Sequence, residues 1–167
     1  MSKVGFIGLG SMGRGMIANL VSQGVDLLAF DIDPGAREAV SGPQVTLAGN
    51  VATVGRDCKR ILLSLPDGDV VEQVLFGTDG LLSMMAEGTV VIDTSTTQAD
   101  KSKQFARDLH ARGSEFLDAP VTGMEAGAIA GTLSFMVGGD RAAFDSVCEL
   151  LQHMGSTVVH MGASGNG

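Results

Sequence analysis

Residues 4–16 read VGFIGLGSMGRGM, an apolar strand that runs directly into a glycine-rich turn and then into a helix. The turn has the GxGxxG spacing of dinucleotide-binding folds. In that spacing Gly8 permits a tight turn, Gly10 lets the backbone approach a pyrophosphate, and Gly13 lets the helix pack closely on the strand. The unpaired amides at the start of the helix, from Ser11 onward, then face the phosphates. The stretch therefore predicts a dinucleotide site.

The alternative is a glycine turn in an ordinary βαβ unit, because chance spacings occur in a chain with 24 glycines. The sequence after the turn favours the dinucleotide. A helical apolar pattern stops at residues 23–24, and a second strand, 25–30, ends in Asp31. An acidic residue at about this separation contacts the adenosine ribose.

Asp31 also predicts the cofactor. A carboxylate can accept hydrogen bonds from both ribose hydroxyls of NAD, but it repels the 2′-phosphate of NADP. We therefore expect NAD, with NADP less favoured. Arg37 is close enough in sequence to serve as a phosphate partner, although a solvated helix position is the other interpretation of this residue.

Composition limits the remaining possibilities. The 167 residues are 44% hydrophobic, with a mean hydropathy of +0.26, which is enough for one domain with a sizeable core. A net charge of −8 without a basic cluster argues against nucleic acid. No apolar run has the length of a membrane span and no leader is evident, so we expect no membrane partner and a cytoplasmic location. Two distant cysteines without CxxC spacing suggest neither a metal site nor a disulfide framework.

The rest of the chain alternates strand and helix. Further strands are predicted at 45–47, 60–65, 89–93, 115–120, 133–137 and 156–161. Helices are predicted at 50–57, 97–112 and up to 152 after Asp140, with another whose capping box pairs Asp69 with Glu72. Repeated βα units imply right-handed crossovers. We expect an α/β, doubly wound Rossmann-type domain over residues 1–167, whose mainly parallel sheet has about eight strands and binds ligands at their carboxyl ends.

Three more segments follow predicted strands: LPDG at 65–68, DTST at 93–96 and DAPVTGM at 118–124. Together with the opening glycines, and in the same order, they resemble the motifs of the β-hydroxyacid dehydrogenase family. That family includes 3-hydroxyisobutyrate dehydrogenase, tartronate semialdehyde reductase and the cofactor domain of 6-phosphogluconate dehydrogenase. The resemblance covers essentially the whole chain.

The resemblance implies roles for individual residues. For the cofactor, it implies backbone contacts to the pyrophosphate from Leu9 and Met12, a lining of the adenosine-to-nicotinamide path by Leu65 and Pro66, and a contact from Thr96. For the substrate, it places Ser95 near the nicotinamide and gives Thr122 and Gly123 the substrate carboxylate. Neutral donors at a helix start can bind a carboxylate without a basic side chain. Helix capping is the alternative role of Ser95, Thr96 and Thr122.

Met124 departs from the family pattern, which usually has a second glycine there. A side chain at this position either narrows the pocket or adds an apolar wall. Substrate identity is therefore less transferable than cofactor binding.

A group that exchanges the hydroxyl proton is harder to find, although oxidation of an alcohol requires one. Only His160, near the end of the last strand, is retained as a candidate, and an exposed strand residue is its simpler interpretation. Residues 162–167, GASGNG, resemble the start of the family's third motif, which precedes the catalytic lysine. We therefore expect no catalytic residue up to Gly167. In this view the all-helical domain that supplies the lysine, and commonly the dimer interface, is absent from the chain.

These observations lead to one expected function and two alternatives. We expect the cofactor domain of an NAD-dependent oxidoreductase of a small 3-hydroxy acid or its semialdehyde, with a homo-oligomeric parent. The fragment is expected to be a monomer that binds cofactor without turnover. The alternatives are a non-catalytic NAD-sensing or interaction module, and a related reductase of imines or sulfonated aldehydes.

Overall fold

The computed structural model describes residues 3–40 and 42–167. Strands occupy Val4–Ile7 (β1), Leu27–Phe30 (β2), Val45–Leu47 (β3), Arg60–Leu63 (β4), Val90–Asp93 (β5), Glu115–Asp118 (β6), Val121–Thr122 (β7), Leu133–Gly138 (β8) and Gly155–Gly162 (β9). Helices occupy Ser11–Ser22 (α1), Pro34–Glu38 (α2), Val51–Asp57 (α3), Gly68–Phe76 (α4), Ala99–His110 (α5), Met124–Ala130 (α6) and Arg141–Gln152 (α7), with a 3₁₀ turn at Leu81–Ser83.

The strands form one sheet in the order β3-β2-β1-β4-β5-β6-β8-β7, with β9 also beside β8. The first six strands in this order are parallel to one another, β8 is antiparallel to β6 and β7, and β9 is parallel to β8. The doubly wound, mainly parallel sheet is thus confirmed. The described residues contain nine strands, one more than predicted. The additional strand is β7, which at two residues is too short to show an apolar pattern.

Two apolar layers lie on opposite faces of the sheet, because successive strand residues point to opposite sides. Phe6 and Leu62 pack with α1, α6 and α7 on one face, whereas Ile61 and Leu63 pack with α3, α4 and α5 on the other. All four side chains are completely buried. Burial on both faces accounts for the nearly continuous apolar sequence of β4.

Asparagine or aspartate side chains cap the starts of four helices, including α2 through Asp33. Asn50 accepts from the Thr53 amide at α3, and Asp140 accepts from the Ala143 amide at α7, as predicted for Asp140. At α4 the expected capping box is wrong: Asp67 accepts from the amides of residues 69 and 70, each at 3.0 Å. Asp67 is the N-cap residue of α4 because its own backbone is extended, as that position requires.

The two acids of the expected capping box contact another helix instead. Asp69 and Glu72 each lie 2.5 Å from the Lys101 ammonium on α5. The hydrogen bond to Asp69 is the main cause that raises the pKa of Lys101, and the hydrogen bond to Glu72 is the second. Lys101 thus joins the first turns of α4 and α5.

Candidate functional site

The glycine turn after β1 is fixed by close backbone contacts. Gly8 has φ +97°, and a Cβ there would lie 2.0 Å from the Ser64 carbonyl oxygen. A Cβ on Gly13 would lie 2.1 Å from the Gly8 carbonyl oxygen. Gly10 differs, because a Cβ there would meet no atom within 4 Å. Gly8 and Gly13 are therefore required by the protein's own packing, whereas the space beside Gly10 is open to a ligand.

The start of α1 offers donors at this open space. Gly10 is the N-cap residue and provides no side-chain hydrogen bond, and the first turn carries no acidic residue. The first backbone hydrogen bond of α1 runs from the Arg14 amide to the carbonyl oxygen of Gly10, in the turn. The preceding amides of α1 have no helical acceptor, and the positive end of the 12-residue helix dipole lies here. This arrangement suits an anion such as a pyrophosphate.

Asp31 lies beside the turn at the end of β2. Its Oδ2 accepts from the Leu9 amide at 2.6 Å and its Oδ1 from the Asp33 amide at 2.8 Å. Because each carboxylate oxygen has two lone pairs, Asp31 can still accept from ribose hydroxyls. The Leu9 amide is engaged by Asp31 and its side chain is buried, so Leu9 supports the acid rather than facing the open space.

A cleft of about 1030 Å³ connects these groups. Of the predicted cofactor residues, its lining includes Gly8, Gly10, Ser11, Met12, Gly13, Asp31, Leu65 and Pro66. It does not include Leu9 or Thr96. Sequence reasoning missed other lining residues: Ile32, Val51, Val70, Gln73, Val74 and the 77–80 turn. The spacing of Val70 and Val74, four residues apart on α4, could have indicated the part of the lining that this helix supplies.

Ser95 joins the cleft to the loop after β5. Its hydroxyl oxygen accepts from the Leu65 amide at 2.9 Å, and its own amide donates to Asp93 at 3.0 Å. Ser95 is buried, whereas Thr96 is exposed. Helix capping is excluded for both, because the N-cap of α5 is Gln98, and for Thr122, because the N-cap of α6 is Gly123.

Asp93 organises this loop from below. Its second oxygen accepts from the Thr97 hydroxyl at 2.6 Å. Burial raises the pKa of Asp93 above its ordinary value, and the carboxylate of Asp118, its register partner on β6, adds to this effect. Hydrogen bonds from Ser95 and Thr97 oppose it in part.

The expected substrate residues lie at the start of α6. Helices α1 and α6 touch along their lengths: a Cβ on Gly15 would lie 2.8 Å from the Ala128 carbonyl carbon, and Asn19 Nδ2 donates to the Ala128 carbonyl oxygen at 2.7 Å. Farther along, Asn19 Oδ1 lies beside Gly131. The residue numbers rise together in both helices, so the helices are parallel and begin at the same edge of the sheet. Residues 122–124 are therefore near the glycine turn.

His160 does not reach the cleft. Its Nε2 is 2.9 Å from the Gly139 carbonyl oxygen, and its ring lies 5.0 Å from that of Phe144.

Within residues 3–40 and 42–167, no group of three or more His, Cys, Asp or Glu side chains could hold a metal ion. Over the same ranges, no helix combines the length and apolar character needed to cross a bilayer.

Known proteins show the same sequence pattern and fold. Residues 3–162 match the family described as the NAD binding domain of 6-phosphogluconate dehydrogenase. Mouse mitochondrial 3-hydroxyisobutyrate dehydrogenase is 38% identical over 98% of this chain and 49% of its own length. For 2-hydroxy-3-oxopropionate reductase of Escherichia coli K12 the identity is 40%, over 99% of this chain and 56% of the relative.

A solved structure agrees. The 3-hydroxyisobutyrate dehydrogenase of Mycobacterium tuberculosis, determined with L-serine, superposes with a TM-score of 0.93 at 34% identity, covering 100% of this chain and 56% of that one. The chain thus spans about half the length of the relatives that it matches. It belongs to the family of the 6-phosphogluconate dehydrogenase NAD-binding domain, within the β-hydroxyacid dehydrogenases.

Proposed function

We propose that this chain is the cofactor-binding domain of an NAD-dependent oxidoreductase that acts on a small 3-hydroxy acid or its semialdehyde. One observation carries the cofactor assignment: the space beside Gly10, which a Cβ could fill without a clash, lies at the start of α1 and in the same cleft as Asp31. When bound, NAD⁺ accepts a hydride from the carbon that bears the substrate hydroxyl. The residues of this chain bind the cofactor and the substrate and orient them for this transfer.

In this proposal the amides of residues 11–13 hold the pyrophosphate, and the Asp31 carboxylate accepts from the adenosine ribose diol. Leu9 holds Asp31 in place, and Leu65 and Pro66 line the path to the nicotinamide. Thr96 contacts the cofactor from the loop after β5. NAD is preferred over NADP because a 2′-phosphate beside Asp31 would bring two negative groups together.

On the substrate side, Ser95, Thr122 and Gly123 bind the small carboxylate, and Met124 supplies an apolar wall. The catalytic lysine and an all-helical domain belong to a longer homo-oligomeric parent. The 167 residues alone then bind NAD as a cytoplasmic monomer but do not turn over substrate. The relatives that act on 3-hydroxyisobutyrate and 2-hydroxy-3-oxopropionate support this substrate class.

Nicotinamide fluorescence tests the proposal directly, because NADH emits light and its emission changes when it leaves water for a binding cleft. We expect saturable binding of NADH that is at least tenfold tighter than that of NADPH. Failure to bind either nucleotide would overturn the proposal, and equal or tighter NADPH binding would overturn its NAD preference. Turnover of 3-hydroxyisobutyrate by the purified chain would overturn the assignment of the proton-transfer group to a lysine outside it.

A second candidate substrate is a sulfonated aldehyde. The 3-sulfolactaldehyde reductase of Escherichia coli K12 is 35% identical over 100% of this chain and 56% of the relative. Comparing the affinity of the NAD-loaded chain for a 3-hydroxy carboxylate and for its sulfonated counterpart separates the two. A chain that binds NADH but neither acid would instead match a non-catalytic NAD-sensing module.

A further inference from the structure

The segment 163–167 is held in place by a single buried side chain. Asp118, the last residue of β6, is 5% exposed. Its Oδ1 accepts from the Gly165 amide at 2.8 Å and its Oδ2 from the Gly167 amide at 2.7 Å. Hydrogen bonds from two amides to one carboxylate are charge-assisted and stronger than bonds between neutral groups.

The glycines of the segment allow this close approach. A Cβ on Gly167 would lie 2.4 Å from the Asp118 carbonyl oxygen, and a Cβ on Gly138 would lie 2.8 Å from the Gly167 nitrogen. Gly165 has φ +87°, and its Cβ would lie 2.7 Å from Lys103 Cε and 3.1 Å from the Ala99 carbonyl oxygen. The segment therefore extends from the ends of β6 and β8 to the first turns of α5.

This position adjoins the loop that carries Ser95, one of the proposed substrate residues. Ala99 opens α5, and the loop that leads into it contains Ser95 and Thr96. Asp93, which holds that loop, is the register partner of Asp118 on the adjacent strand. The two aspartates thus fix two neighbouring loops at the carboxyl edge of the sheet, where doubly wound folds bind their ligands.

We propose that Asp118 is a positioning residue for substrate, because its carboxylate fixes segment 163–167 as a wall of the substrate pocket beside Ser95. This inference rests on the proposed function. Asp118 acts through the Gly165 and Gly167 amides and does not touch the cofactor cleft, whose lining does not include it. Loss of its charge therefore weakens binding of the acid and leaves binding of the cofactor unchanged.

The Asp118→Asn variant tests this separation. Its side-chain amide keeps the size of the carboxylate but places a donor opposite one of the two backbone donors. We expect its NADH affinity to stay within about twofold of the wild type. With NAD⁺ saturating, we expect the dissociation constant for 3-hydroxyisobutyrate, measured by NMR titration, to rise about tenfold. The Gly165 and Gly167 amides should exchange their hydrogens faster.

Asp140→Asn is the matched control. Asp140 is also an aspartate that accepts from a backbone amide, but it caps α7 through Ala143 and, among the described residues, forms no hydrogen bond with segment 163–167. This variant should lower the melting temperature and leave acid binding unchanged. Gly165→Ala is the second test, because its strained φ and its contact with Lys103 displace the segment without altering β6. It should weaken acid binding as Asp118→Asn does.

Several results overturn the inference while the cofactor assignment survives. One is wild-type affinity for the acid in both Asp118→Asn and Gly165→Ala. Another is an equal loss of acid binding in Asp140→Asn. A wild-type chain that binds NADH but shows no saturable binding of 3-hydroxyisobutyrate also overturns it, because the segment then forms no wall of a substrate pocket. Failure of the wild type to bind NADH would instead overturn the proposed function.

Discussion

The Leu9 amide donates a hydrogen bond of 2.6 Å to Asp31 Oδ2, so the acid at the end of β2 is tied to the glycine turn after β1. One carboxylate thereby does two things: it stabilises the turn at the start of α1, and it places an acceptor in the cleft. The adenosine ribose and the pyrophosphate would consequently be bound by two elements whose relative position is fixed before the cofactor arrives.

Asp31→Ala should therefore weaken NADH binding more than NADPH binding. The variant loses acceptors for the ribose hydroxyls of NADH, but it also removes the charge that repels the 2′-phosphate of NADPH. We expect the NADH dissociation constant to rise about tenfold, as measured by nicotinamide fluorescence. Asp33→Ala is the control, since it removes the same charge two residues away, where the side chain caps α2. An equal effect of both variants would show that only net charge matters.

Gly8→Ala should lower the stability of the fold, whereas Gly10→Ala should leave it almost unchanged. Alanine at position 8 combines a positive φ with a clash against the Ser64 carbonyl, and we expect a loss of about 3 kcal/mol in the free energy of unfolding. Alanine at position 10 fits the negative φ of −65° and the open space, so stability should change by less than about 0.5 kcal/mol.

The cofactor distinguishes the two glycines further. Because the Gly10→Ala methyl group occupies the space assigned to the pyrophosphate, NADH affinity should fall at least tenfold in a protein that unfolds normally in urea. Unchanged affinity in Gly10→Ala would show that the pyrophosphate lies elsewhere.

These contrasts indicate what the sequence could predict. The roles of Gly8, Gly10 and Asp31 follow from local requirements, namely a positive φ, an open backbone and an acid at the end of a strand, and such requirements are visible in the residue types. Helix α6 was missed because its seven residues, MEAGAIA, are mostly small and carry no apolar period. Its position depends on Gly15 and Asn19 of α1, which are more than 100 residues away in the sequence.

Competing side chains account for the other errors. Asp67 and Asp69 were both possible caps for α4, and only the backbone conformation of residue 67 and the presence of Lys101 decide between them. The pairing of Asp118 with Gly165 and Gly167 joins residues 47 and 49 positions apart. No local pattern encodes such a pair, so it is found only in the folded chain.

Asp93→Asn should change the pH dependence of stability. The pKa of Asp93 is raised in the folded state, mainly by burial, so the folded protein holds this proton more tightly than the unfolded chain. The stability that this proton provides is present below the ordinary pKa of 3.8 and is lost as pH rises through the folded pKa. Asparagine can still accept from the Ser95 amide and carries no charge to bury.

Urea unfolding between pH 4 and 7.5 measures this effect. The stability of Asp93→Asn relative to wild type should increase as the pH rises. Asp26→Asn, which removes an exposed carboxylate before β2, is the control and should not reproduce the trend. A difference between Asp93→Asn and wild type that stays constant with pH would contradict the prediction.

The two cysteines should differ in reactivity. Burial, and secondarily the charge of Asp57, raises the pKa of Cys58 to about 11, and its side chain is 1% exposed. At pH 8 only about one molecule in a thousand then carries the thiolate that reacts. Cys148 on α7 is half-buried. Iodoacetamide at pH 8 should label Cys148 alone, and mass spectrometry of Cys148→Ser should show almost no label. Rapid labelling of Cys58 in the folded protein would contradict this.

Met124 should be a position where glycine stabilises the fold. It has φ +56°, the one positive value at a non-glycine position among residues 3–40 and 42–167, and its side chain is 81% exposed. The strain is therefore not offset by burial. Met124→Gly should raise the free energy of unfolding by about 0.5 to 1 kcal/mol, because the gain from relieved strain exceeds the entropic cost of glycine. Met124→Ala removes the side chain but keeps the strain, so it should not stabilise. A melting temperature that rises equally in both variants would show that the exposed side chain, and not the backbone, is the source of the instability.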